Sequence, residues 1–200
     1  MLQGFPAGRI NAGTHHHDEH LRMSPENGQI ITTDTGSHLV LTSSPVLFTT
    51  QTEMREQLLT VTRSAEKTIA LWSRDLRSGL FESPSFLDVL KRFVLARRNA
   101  KVRILTLPTM ASADPRPALL QLADRLPNYF EIRTTDGSGL DAAELLVADE
   151  RGALYRIHAD RWDGMSDIYD PPVARFYRVQ FDTAWNKAHS LQSSDQVVGA

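Results

Sequence analysis

Hydrophobic and polar positions divide the chain into a featureless start and a strongly patterned body. Residues 1–37 are rich in Gly, Thr, His, Asn and Asp and show no sustained periodicity, which predicts a flexible polar tail. From Ser43 the pattern changes. SSPVLFTT holds a short apolar run with the character of an edge strand. Met54, Leu58, Val61 and Ala65 then fall at helical spacing behind Thr50, and Glu53 stands three residues after that threonine. Thr50 and Glu53 have the spacing of a capping box, which predicts a helix start. TIALWS is a continuous apolar run of strand length, as expected of a strand covered on both faces.

The next helix is marked by Ser83 as N-cap and Pro84 in the first turn, with an apolar stripe of Phe86, Leu87, Leu90, Phe93 and Val94. KVRILTL predicts a second strand ending at Pro108, PALLQLADRLP a short helix and YFEIRTT a third strand. Residues 140–157, LDAAELLVADERGALYRI, read as a hairpin with its turn at Asp149, Glu150, Arg151 and Gly152. A final helix over 173–188 carries Tyr177, Phe181, Ala184 and Ala188 on one line, with Phe176, Val179 or Gln180, Thr183 and Lys187 beside it. Helices alternating with apolar strands predict an α/β sandwich with a mixed central sheet flanked by helices. We expect a single domain over 43–190, followed by a C-terminal tail over 191–200.

Composition narrows this picture. The chain has 200 residues and no cysteine, so neither a disulfide, a thiolate metal site nor a cysteine nucleophile is available. Its start lacks the basic and apolar regions of a secretory signal, and no apolar run is long enough to span a membrane. A cytoplasmic location is expected. Residues 1–40 carry two basic and four acidic side chains, leaving 20 of each sign in the remainder. A neutral body lacks the field of a nonspecific nucleic-acid binder. Arginine outnumbers lysine 18 to 4, a bias that a GC-rich genome explains without invoking phosphate contacts.

Candidate chemistry is sparse. Neither GxGxxG, GxxxxGKS nor GxSxG occurs, which argues against the common nucleotide sites and the hydrolase elbow. His15, His16, His17 and His20 could share a metal only on a helix; a polar tail is the simpler reading. RRNAKVR (97–103) reads as a solvated helix end. Asp160, Asp163, Asp167 and Asp170 lack the spacing of a calcium loop and read as a polar loop leading into a helix. No metal and no cofactor are expected.

The order of elements from Leu47 to Ser190 resembles the phospholipase D-like superfamily. In that superfamily a strand carries HxKxxxxD before a turn and a second strand. Laid onto this sequence with Asp149 as the final aspartate, the motif has Ala142 in place of histidine and Glu144 in place of lysine. The resemblance implies a histidine nucleophile that attacks phosphorus and lysines that neutralise the phosphoryl oxygens. Alanine offers no nucleophile, and a glutamate repels the anion. ALWSRDL, LFESPSFLDVLKRF, LLVADERGALYR, ADRWDGMSDIYDPPVAR and FDTAW also resemble an uncharacterised proteobacterial family of degenerate phospholipase D-like domains.

The expected function is a noncatalytic binding or accessory module for a phosphate-bearing ligand or a protein partner. Arg74 and Asp75, just after TIALWS, Arg156, on the second strand of the hairpin, and Asp160, just beyond it, are the candidate ligand-binding residues at the carboxyl ends of strands. The competing expectation is a phosphodiesterase or phosphotransfer enzyme with relocated groups, His158 acting as base or nucleophile beside Asp160. A homodimer is a further expectation, because phospholipase D-like domains usually pair.

Overall fold

The computed structural model describes residues 43–190. The polar N-terminal stretch with its histidines, and the C-terminal tail, lie outside the described residues. Strand β1 (Val46–Phe48) leads into helix α1 (Gln51–Ser64). The capping box forms as the sequence predicts: Thr50 Oγ1 accepts from Glu53 N at 3.2 Å, and Glu53 Oε2 accepts from Thr50 N at 3.0 Å. Thr49 N also donates to Glu53 at 2.8 Å. That amide, with the hydroxyl and amide of Thr50, holds the Glu53 carboxyl below its ordinary pKa.

Two parallel crossovers follow. Strand β2 (Thr68–Ser73) passes through helix α2 (Pro84–Leu95) to β3 (Lys101–Thr106). Helices α3 (Pro108–Ala111) and α4 (Ala118–Arg125) then lead to β4 (Phe130–Thr134), parallel to β3. The hairpin β5 (Glu144–Ala148) and β6 (Gly152–Arg156) joins the other side of β2 in antiparallel sense. Strand β7 (Gly164–Asp167), helix α5 (Pro171–Lys187) and β8 (His189–Ser190) complete an eight-stranded mixed sheet of order β1-β7-β6-β5-β2-β3-β4-β8.

Alternation along the strands sorts the core into two layers. Ile69 and Leu71, Val102 and Ile104, and Leu146 and Leu154 pack with Met54, Leu58, Phe86 and Leu90 from α1 and α2. Ala70, Trp72, Leu105, Leu145 and Val147 face the other way, against Tyr177, Phe181 and Trp185 of α5. Strand β2 is therefore apolar on both faces, as TIALWS predicts. Burying each such leucine or phenylalanine contributes about 1.5–3 kcal/mol. Among the described residues no helix is long and apolar enough to cross a membrane.

One stretch departs from its expected character. ADRWDGMSDIYDPP reads as a polar loop, yet its middle forms β7, paired with β1 and β6. The strand is short and polar, so no alternation announces it. Tertiary contacts make it: Ser166 Oγ donates to Gln57 of α1 at 3.0 Å. Gly164 lies so close under Phe48 that a Cβ would come within 2.4 Å of the ring. Strand β8 escaped notice for the same reason, being only two residues long.

Candidate functional site at the carboxyl ends of the parallel strands

Sheet register brings a row of polar residues to one end of the sheet. Ser73, at the end of β2, stands opposite both Glu144 of β5 and Thr106 of β3. Glu144 in turn faces Arg156 of β6, and Thr106 faces Thr134 of β4. Counted along each strand, Ser73, Thr106, Glu144 and Arg156 share the parity of Leu71, Ile104, Leu146 and Leu154, and so project towards the α1 and α2 layer. Open α/β sheets bind ligands at this end.

One end of the row is a buried ion pair. Glu144 and Arg156 are 2% and 6% exposed. Arg156 Nε donates to Glu144 Oε2 at 2.7 Å, and Nη1 donates to the carbonyls of Arg161 at 2.7 Å and Ala159 at 3.1 Å. Its guanidinium stacks over Trp162, 4.6 Å from the ring centroid. The charge that the sequence reading reserved for a ligand is thus taken up by one carboxylate, two carbonyls and an indole. Ala142, where the histidine of HxKxxxxD would stand, is buried, and its carbonyl accepts from Trp72 Nε1 at 2.9 Å.

Asp149 sits at the other end of the hairpin, far along β5 from Glu144. It has φ of 53° and Glu150 has 61°, the left-handed conformations of a tight hairpin turn. Its carboxylate accepts from the backbone N–H groups of Glu66, Lys67 at 2.8 Å and Thr68 at 2.6 Å. Asp149 thus clamps the α1–β2 connection to the hairpin turn, a structural duty.

The remaining candidates divide. Arg74 and Asp75 stand at the same sheet end as Arg156, since Ser73 precedes them directly. Arg74 is exposed and joins no ion pair among the described residues. The Asp75 carboxylate accepts from Arg77 N at 2.9 Å and so shapes the loop. His158 and Asp160 are both exposed on the connection after β6. Asp141, at the hairpin entrance, exchanges two hydrogen bonds with Gln180 of α5, at 2.8 and 3.2 Å. The acidic loop is spent piecemeal: Asp163 pairs with Arg161, Asp167 accepts from Ser43, Ser44 and Tyr169, and Asp170 caps α5. Among the described residues no three His, Asp or Glu side chains converge on a common point.

Sequence reasoning missed the pairing of Glu144 with Arg156. The signal was present: both lie four residues outside Ala148 and Gly152, which face each other across the turn. Counting outwards from the turn places an acid opposite an arginine on one face.

Comparison with known proteins decides the family. Residues 50–194 match the family described as Domain of unknown function (DUF7931). The chain belongs to that family. No curated protein matches the sequence. Solved structures share the fold of this DUF7931 domain at low identity. Nuc from Salmonella typhimurium, a phospholipase D family member, is 12% identical with a TM-score of 0.50, over 74% of this chain and 99% of its own. NucT from Helicobacter pylori is 11% identical with a TM-score of 0.52, over 75% and 100%. TrmBL2, an archaeal chromatin protein that shows a novel mode of DNA binding, is 15% identical with a TM-score of 0.57. The alignment covers 74% of this chain and 53% of TrmBL2, so the chain spans about half the length of that protein. The fold is that of phospholipase D-like proteins, as the order of elements suggested.

Proposed function

We propose that this DUF7931 domain is a noncatalytic phospholipase D-like module that binds an anionic, phosphate-bearing ligand at the carboxyl ends of its parallel strands. The observation that carries the reading is the Glu144–Arg156 pair. Where the resemblance implies a lysine holding phosphoryl oxygens, a buried carboxylate locked at 2.7 Å to an arginine offers no positive charge. Where it implies a nucleophile, Ala142 offers a methyl group. Phosphoryl transfer depends on positioned nucleophiles and cations, and this arrangement supplies neither at those two positions. Arg74, exposed at the end of β2 and in no ion pair among the described residues, is a cation placed to meet an anion there. The DNA binding of TrmBL2 is not carried over, because basic and acidic side chains balance beyond residue 40 and a polyanion needs a net positive surface.

The test is hydrolysis of a generic phosphodiester, with and without divalent metal, by the full chain and by His158→Ala. We expect no turnover from either. Turnover that disappears in His158→Ala would replace this reading with an enzyme whose nucleophile has moved to the β6–β7 connection. For the ligand site, Arg74→Ala is expected to fold normally and to bind anions more weakly; unchanged affinity removes Arg74 from the site.

A further inference from the structure

The balance of charge over the body conceals a local excess. Residues 84–101, helix α2 and its connection to β3, hold five basic side chains (Lys91, Arg92, Arg97, Arg98 and Lys101) and one acid, Asp88. Residues 136–170, around the hairpin, hold nine acids and three arginines. Sorting of this kind creates a local field that the net charge does not reveal.

The excess frames a groove. An open hollow of about 490 Å³ lies between α1 and α2, lined by Thr62, Val89 and Phe93 and by the arginines Arg63, Arg92 and Arg97. It follows α2 from Ser85 to Ala96, about 16 Å of helix. Thr62 and Phe93 are buried and Val89 is half-buried, so they form its floor, while Arg63 and Arg92 are exposed beside them. These cations are loosely held. Arg63 and Arg97 join no ion pair among the described residues. Arg97 lies over the Phe93 ring, 5.1 Å from its centroid, and its Nη1 donates to the Phe93 carbonyl only at 3.5 Å. Arg92 meets Asp88 at 2.8 Å, but both side chains are more than half exposed, and such an i,i+4 pair is weak enough for an incoming carboxylate to displace it. A guanidinium takes a carboxylate through two parallel hydrogen bonds, and an apolar floor takes an aliphatic or aromatic side chain.

We propose that the α1–α2 groove docks an acidic peptide segment of a partner protein. Its carboxylates meet Arg63, Arg92 and Arg97, and one aliphatic or aromatic side chain rests against Val89 and Phe93. Charge and shape together select this occupant. A nucleic acid carries a charge at every phosphate and would leave the apolar floor unused. A membrane surface takes apolar side chains that project, and those of the groove line a hollow. The groove shares no residue with the row at the strand ends, so this inference and the phosphate-ligand reading stand or fall separately. A smaller hollow of about 310 Å³ on the other flank of α2, with Lys91 and Arg125 beside Leu87 and Leu122, provides an internal control.

Selection of a random peptide display library on the full chain, followed by fluorescence anisotropy of the recovered peptides, tests the docking. We expect recovered sequences to combine aspartate or glutamate with an aliphatic or aromatic residue. Their affinity should fall about tenfold in Arg63→Gln and in Arg97→Gln, each the loss of one charge-assisted contact, and further in the double variant. Neither arginine holds an ion pair, so the thermal midpoint should stay at the parental value and the lost affinity reports the groove. The Lys91→Gln, Arg125→Gln variant should bind as the parent does. Recovery of no peptide, or only of neutral or basic ones, overturns the proposal, as does parental affinity in the Arg63→Gln, Arg97→Gln variant. Equal loss in the Lys91→Gln, Arg125→Gln variant would replace the groove with a diffuse field around α2. Single-stranded DNA or phosphatidylglycerol vesicles that bind through Arg63 and Arg97, with no peptide binding, overturn the choice of a peptide.

Discussion

The two ends of the β5–β6 hairpin each carry a carboxylate, and the two are held in opposite ways. At the turn, Asp149 collects backbone amides from Glu66, Lys67 and Thr68. At the open end, Glu144 is matched by a single side chain, Arg156, in a nearly dry setting. Asp149 keeps a motif position and performs a backbone duty that any chemistry at the far end would leave untouched. Glu144 comes with its own counter-ion, and the counter-ion with its own carbonyls and a stacking indole. Two carboxylates at opposite ends of one hairpin can therefore serve unrelated duties, because the forces on them are independent.

Breaking the open end should have the largest effect. Glu144→Ala leaves Arg156 charged and buried without its partner, and should cost about 3–5 kcal/mol in urea unfolding. Replacing both residues, Glu144→Leu with Arg156→Met, should recover most of that loss, since apolar groups of similar volume substitute well for a buried pair. The carbonyls of Ala159 and Arg161 belong to exposed residues and can turn to water. A Glu144→Ala loss below 1 kcal/mol would mean that the pair does not hold this end together.

The turn end should come next. Asp149→Ala removes a charged acceptor from three amides and should cost about 2–3 kcal/mol. Asp149→Asn, which tolerates the left-handed backbone and keeps one oxygen, should lose less than Asp149→Ala. Equal losses in the two variants would show that charge, and not the left-handed turn, sets the cost. The smallest effect is a gain. Glu150 takes a φ of 61° with no backbone reason to be glutamate, and Glu150→Gly should stabilise by about 0.5 kcal/mol, the left-handed strain relieved less the added freedom of the unfolded glycine. A loss on Glu150→Gly would mean that the side chain contributes a contact that outweighs its backbone strain.

Most of the fold was legible because its signals are local. Thr50 and Glu53, Ser83 and Pro84, and the runs TIALWS and KVRILTL each announce an element within a few residues. Strands β7 and β8 were not legible, since GMSD and HS owe their pairing to neighbours far along the chain. For the site, the positions of Ala142 and Glu144 relative to Asp149 could be counted from the sequence, as could the placement of Arg74 at the end of a strand. The engagement of Arg156 could be foreseen only by combining hairpin register with side-chain parity. The hydrogen bond from Arg55 to Gly79 could not be foreseen at all, because the two residues lie 24 apart along the chain and meet only in the folded structure.

What the sequence determined by itself is the order of helices and strands and the placing of Ala142 and Glu144 before Asp149, for periodicity, capping and residue identity are properties of neighbours along the chain. Tertiary structure alone decided which charges are spent and which are free. Whether an arginine can meet a ligand depends on which carboxylates, carbonyls and rings reach it first, and packing settles that competition after distant segments have been brought together.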